Sequence, residues 1–315
     1  MSIGLVLGAG GVTGGAYIAG ALAALENDLG FDARSADVIV GTSAGALIGA
    51  LLRSGISAGD LAAWTIGARL SDEARMVLGE VERPTFDPVC LRRFIRPPRV
   101  PHPRSMWSAL RHPARFDPMR ALLTHLADGT RVLLPQVAFL GDAWPEEPFY
   151  CCTVRREVGG RVVFGREGAP SARLAAAVAA SCAVPGYFAP VEVNGERYLD
   201  GGIKSSTNAD ALRADDLDAV IVIAPMCPVE GREGHSIESY IRGKAFRQLE
   251  SELEVLERGG VTTVPFGPGP RVLSHLSGDF MSDTAAPDIV LSAFLETGAQ
   301  LRDTALADVL SRRAA

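Results

Sequence analysis

Two junctions in the first 55 residues, each running from a short apolar strand through glycines into a helix, constrain this chain more than any other feature. The segment 3–7, IGLVL, leads directly into GAGGVTGG and then into a small-residue run of helical period. The same plan recurs as VIV (38–40), GTSAG (41–45) and ALIGALL (46–52). Strand, glycine turn and helix, twice over, predict an α/β fold with a mainly parallel central sheet.

Later elements follow from the same reading. Helices are expected over 15–28 and from the second junction to about residue 54. Ser57 and Asp60 form a capping box, with Asp in place of Glu, opening a helix to about residue 69. FYCCTVR (149–155) and RVVF (161–164) read as paired strands, and Ser171 as the cap of an Ala-rich helix that stops before Pro185. A strand over 196–199 runs into Asp200-Gly201-Gly202, and DAVIVIAP (218–225) is a buried strand. A long polar helix (237–258), the strand VTTVPF (261–266) and a helix over 289–312 complete the chain. Between 71 and 146 prolines, arginines and aromatics accumulate, which predicts an insertion capping the sheet. The expectation is one domain over 1–315, with its core in 3–69 and 147–226 and a C-terminal part over 227–315.

Composition narrows the function. At 47% hydrophobic and 22% charged residues, a sizeable core is available, and the net charge of −6 argues against nucleic acid. Five cysteines, an odd number without a CxxC pair or a histidine at ligand spacing, read as small buried hydrophobes; neither disulfide nor metal is expected. The N-terminus lacks a basic n-region and a longer apolar segment, and no window reaches the roughly 18 apolar residues of a membrane span. A cytoplasmic or peripheral membrane location is expected.

GTSAG has the G-x-S-x-G form of a nucleophile elbow. Its strained turn needs small residues at Gly41 and Gly45, and it would raise the Ser43 hydroxyl at a helix N-terminus, where free N–H groups favour developing negative charge. An ordinary structural turn is the alternative. None of His102, His112, His125, His235 and His275 falls at a strand end where a Ser-His-Asp triad would need it. Asp200, at the end of a short strand and followed by two glycines, is the candidate base, with an Asp-Gly turn as the plainer reading. The loop from Gly8 to Gly14 leaves backbone N–H groups uncovered for an oxyanion. A dinucleotide site fails, because the sixth position from Gly8 is Thr13 and no acidic residue ends the second strand.

In this order the three pieces resemble the patatin-like phospholipases. GLVLGAGGVTGGAYIAGALAALE is similar to their glycine-rich oxyanion segment, GTSAGALIGALL to their nucleophile elbow, and YLDGGIKSSTNADAL, with the preceding AAAVAASCAVPGYFAPVEVNGER, to their Asp-Gly-Gly segment. The resemblance implies an α/β/α sandwich hydrolysing acyl esters of lipids without a cofactor. It implies a Ser43–Asp200 dyad, oxyanion donors at Gly10 and Gly11 with Ala44, and motif glycines at Gly8, Gly14, Gly41, Gly45, Gly201 and Gly202. Thr13 departs from it, since the family usually carries Arg or Lys there. A catalytically weak member that binds lipid or a partner through the same fold is the alternative.

Residues 91–116 hold seven arginines, Arg92, Arg93, Arg96, Arg99, Arg104, Arg111 and Arg115, and no acidic residue. Phe94, Ile95, Met106, Trp107 and Phe116 are interleaved with them. This segment is the candidate contact with anionic lipid headgroups, an ordinary solvated loop being the alternative.

Overall fold

The computed structural model describes residues 1–79, 126–213, 215–228, 237–276 and 279–302, with 304, 306 and 310. The insertion core and its seven arginines lie outside the described residues, as do Cys90, His102, His112, His125 and His235.

At the centre is β1 (Ile3–Leu7), buried along its whole length. Ile3, Leu5 and Leu7 enter one apolar layer and Val6 the other, as the two-residue period of a strand requires. Burial on both faces is why the segment is a continuous apolar run. β2 (Val38–Thr42) and β7 (Ala219–Ile223) flank β1 in parallel. β3 (Phe149–Arg155) adds in parallel beyond β2, and β8 (Thr262–Phe266) beyond β7. β6 (Glu196–Asp200) and β5 (Val191–Val193) extend the sheet antiparallel, giving the order β5-β6-β3-β2-β1-β7-β8, while β4 (Arg161–Phe164) also pairs with β3.

The pairing along β3 is unusual. Cys151 and Cys152 have β2 on one edge and β4 on the other, whereas Thr153 and Val154 have β6 and β4. β2 and β6 therefore share one edge of β3 and meet end to end on it. Thr42 lies opposite Cys152, and Asp200 opposite Thr153, the next residue.

Helices cover both faces. α1 (Gly11–Leu29), α2 (Ala44–Arg53), α3 (Ala58–Ile66), α6 (Leu174–Ser181) and α9 (Ala286–Leu301) pack on the larger apolar layer, together with the short α4 (Asp72–Leu78), α5 (Leu134–Val137) and α8 (Pro270–His275). α7 (Ile237–Arg258) covers the other layer through Leu249 and Leu256, two turns apart on one face. Among the described residues no helix is long and apolar enough to cross a membrane. The described cysteines, Cys151, Cys152, Cys182 and Cys227, are free thiols.

Ser57 caps α3 as expected, although Asp60 does not accept the Ser57 N–H that a full box would use. The Ser57 hydroxyl accepts from the Asp60 N–H at 3.0 Å, and Asp60 in turn accepts from the Ser71 N–H at 2.8 Å, joining the starts of α3 and α4. Other boundaries differ. α1 begins at Gly11 and not at 15, its Gly14 N–H bonding back to the Gly10 carbonyl at 2.9 Å. Ser171 does not cap α6: the first N–H groups of that helix, at Leu174 and Ala175, are taken by the loop carbonyls of Asp142 and Gly141. α9 begins at Ala286, with Pro287 in its first turn, where the fixed φ of proline suits a helix start; it ends at Leu301, with Arg302 as its cap, and most of the expected span beyond that lies outside the described residues.

Candidate active site

β1 and β2 are adjacent and parallel, and Leu7 pairs with Gly41. The glycine loop and the Ser43 turn therefore leave the same end of the sheet, one residue apart in register. Ser43 sits between β2 and α2 at φ 55° and ψ −120°, a backbone conformation costing about 1–3 kcal/mol for a residue with a Cβ. Several bonds hold it there. Its N–H donates to the Ser181 hydroxyl at 2.9 Å, and Ser181 donates to the Cys152 carbonyl at 2.6 Å. The Ser43 carbonyl accepts from the Ala46 and Leu47 N–H groups and from the Cys182 thiol.

The turn also needs room on both sides. A Cβ on Gly41 would lie 2.4 Å from the Ala46 Cα, and one on Gly45 only 2.0 Å from the Leu7 carbonyl oxygen. Both obstacles are backbone, and Leu7 belongs to the central strand. Gly45→Ala is expected to destabilise the protein by about 3 kcal/mol or more, because β1 or α2 must move. Urea denaturation checks this; a loss below about 1 kcal/mol would mean that α2 shifts freely.

Asp200 reaches the same place from β6. Its strand end abuts that of β2 along β3, which sets its carboxyl beside the Ser43 side chain. The Asp200 Oδ1 accepts from the Gly202 N–H at 2.7 Å. Burial pushes the Asp200 carboxyl up from 3.8 to about 6, and the neighbouring Ser43 side chain and the Gly202 hydrogen bond pull back against that rise. Behind the pair, the fully buried Asn208 donates to the Thr42 hydroxyl at 3.1 Å and to the Ser205 carbonyl at 2.7 Å. Glu252 of α7 accepts from the Thr207 hydroxyl and the Ala209 N–H, at 2.7 and 2.9 Å, and so anchors the segment after Gly202.

The other candidate positions fall around this centre. Gly10 precedes α1 and Gly11 opens it, while Ala44 opens α2. Among the described residues none accepts from the N–H groups of Gly10, Gly11 or Ala44, as helix starts leave them. Gly8 and Gly14 pack against Pro225, and Gly201 against the Cys152 carbonyl. Thr13 is buried, its hydroxyl 3.3 Å from the Gly10 carbonyl it donates to. A cavity of about 120 Å³ opens on Ser43, and Leu47, Ile48, Leu61, Trp64, Phe188 and Met281 give it an apolar wall. His275, the histidine among the described residues, does not line it. Among the described residues no group of His, Cys, Asp and Glu could hold a metal ion.

A family model described as patatin-like phospholipase matches residues 5–213, about two thirds of the chain. The chain belongs to the patatin-like phospholipase family. The match runs from β1 past the Asp200-Gly201-Gly202 segment, so it contains the glycine loop, Ser43 and Asp200; α7, β8, α8 and α9 lie beyond it. Patatin-like phospholipases act on lipid substrates as acyl hydrolases. None of the curated proteins matches the chain. Among solved structures, VipD from Legionella pneumophila superposes with a TM-score of 0.41 at 14% identity, covering 96% of this chain and 66% of that one. The type III effector protein ExoU gives a TM-score of 0.36 at 16% identity, covering 96% of this chain and 53% of that one. The chain thus spans between about half and two thirds of these two proteins.

Ser181, Cys182 and Asn208 carry no motif of their own, and sequence reasoning assigned them no part. The only signal was indirect: the SCAVP stretch and the asparagine after Asp-Gly-Gly lie inside the segments that carry the family resemblance.

Proposed function

We propose that this patatin-like protein is a serine esterase that cleaves lipid carboxyl esters through an acyl-Ser43 intermediate. The observation that carries the reading is the placement of the Ser43 side chain, on a strained turn at a helix N-terminus, beside the buried Asp200 carboxyl. In acylation the Ser43 oxygen adds to the ester carbonyl carbon as its proton passes to Asp200. The N–H groups of Gly10, Gly11 and Ala44 take the charge on the carbonyl oxygen, a contribution of about 10²–10³ in rate per donor. The tetrahedral adduct collapses, and the alcohol leaves with the proton from Asp200. Water then adds to the acyl carbon, giving its proton to Asp200, and the acid departs as Ser43 recovers its hydrogen. The apolar wall of the cavity suits the acyl chain, and no step calls for a cofactor.

Asp200 accepts a proton only when ionised. Its rise to about 6 places that ionisation just below neutral pH, where a general base combines availability with basicity. Labelling by a fluorophosphonate probe, followed by intact mass, tests the reading. One adduct per chain, mapping to Ser43, is expected, with a rate that rises as pH increases through about 6 and then levels. Folded protein that forms no adduct from pH 5 to 9, with or without anionic micelles, would overturn the esterase and favour the lipid- or partner-binding alternative.

A further inference from the structure

The glycine loop is shaped by a residue far away in sequence. Arg242, in the second turn of α7, is 1% exposed and is among the largest side chains buried so completely. It shares a pocket of about 10 Å³ with Gly10, Thr13, Gly14, Tyr17, Pro225 and Phe280. Its Nη1 donates to the Pro225 carbonyl at 3.1 Å, and its guanidinium carbon stands 5.6 Å from the centroid of the Phe280 ring. Its Nε pairs with Glu238, one turn earlier, at 3.0 Å.

Pro225 and Phe280 are the two walls of the loop. The proline ring lies 3.0 Å from where a Gly10 Cβ would stand and packs also on Gly8 and Gly14. The Phe280 carbonyl oxygen lies 2.4 Å from a Cβ position on Gly11 and accepts the Thr13 N–H at 3.3 Å. Thr13 and Gly14 thus have their N–H groups taken, Thr13 by Phe280 and Gly14 by Gly10, whereas those of Gly10 and Gly11 have no acceptor among the described residues. One buried guanidinium grips both walls, through a hydrogen bond to one and its charge over the ring of the other.

We propose that Arg242 is a positioning residue for the oxyanion loop: by holding Pro225 and Phe280 it fixes the loop in the form that leaves the Gly10 and Gly11 N–H groups free. It does not touch substrate. The catalytic part of this inference rests on the esterase reading above; the structural part stands without it. A guanidinium fork is needed, because the bond to Pro225, the pair with Glu238 and the ring contact require several donors on one planar group.

The test compares wild type with Arg242→Met and Arg242→Lys, with active sites counted by the fluorophosphonate adduct. On a soluble acyl ester, Arg242→Met is expected to lower kcat per labelled site about 10- to 100-fold while KM changes less than threefold, and Arg242→Lys to recover part of the loss. Amide hydrogen exchange in peptides spanning residues 8–17 is expected to quicken at least tenfold in Arg242→Met, with the peptides of β1 and β2 unchanged. If Arg242→Met does not fold, Arg242→Lys must show the same pattern in smaller measure. Unchanged exchange over 8–17 overturns the proposal whether or not the protein hydrolyses esters. Quickened exchange with unchanged kcat overturns its catalytic part. Turnover surviving Ser43→Ala would instead defeat the esterase reading, and the exchange result would still judge the role of Arg242 in the loop.

Discussion

Alanine at position 43 is expected to lower turnover of a soluble acyl ester on the order of 10⁴- to 10⁶-fold, the range seen when a serine hydrolase loses its nucleophile. Water would have to attack directly, with only the backbone donors and the apolar cavity to assist. Folding should be little affected, since the backbone bonds from Ser181 and Cys182 reach the N–H and carbonyl of residue 43 and not its side chain. Asp200→Asn should cost less, about 10²–10⁴, because the nucleophile stays and only proton transfer is lost. Steady-state kinetics on both variants, each checked for a cooperative melt, decides the matter. Turnover within tenfold of wild type in Ser43→Ala would place the chemistry elsewhere.

The same Asp200→Asn variant is expected to be more stable than wild type at neutral pH. In the fold the carboxyl keeps its proton to about 6, whereas the unfolded chain releases it near 3.8. Between those values the folded state binds the extra proton, so its stability falls as pH rises through the window and stays low above it. A shift of that size corresponds to about 3 kcal/mol at pH 7 and above. Asparagine is nearly isosteric, carries no charge, and can still accept the Gly202 N–H bond. Urea denaturation at pH 8 and pH 4 should therefore show a gain of about 1–3 kcal/mol at the higher pH and almost none at the lower. An equal gain at both would assign the effect to packing. A loss at pH 8 would mean that the ionised carboxylate stabilises the fold. The expected result makes Asp200 a residue retained at the expense of stability, as functional groups in strained or buried settings often are.

Much of this architecture was legible because the elements concerned are dictated by local pattern. β1 and β2 are short apolar runs closed by glycines, and α7 carries a helical period over its whole length, so each was found close to its true place. The boundaries that differed were set from outside. Glycines at 11, 14 and 15 argue against a helix on propensity alone, yet α1 begins there because β1, Pro225 and Phe280 surround it. Three-residue β5 is too short to show a period and exists because β6 turns back on it. At the site, Ser43 and the Asp-Gly-Gly segment announced themselves by motif. Ser181, Asn208 and Arg242 could not, since what matters about them is contact with residues tens to hundreds of positions away.

The end-to-end meeting of β2 and β6 has a consequence for how such a chain can vary. β3 acts as a ruler: its hydrogen-bonding edge spaces Thr42 and Asp200 by a single residue, whatever the connections between them contain. The Arg-rich connection from α4 to Arg131 falls between β2 and β3 in chain order. Its length and composition do not enter the pairing that spaces the two side chains. A slip of one residue in the pairing of β6 on β3 would instead turn Asp200 to the opposite face of the sheet. Sequence can therefore change between β2 and β3 while the spacing of the two side chains stays under the control of one strand.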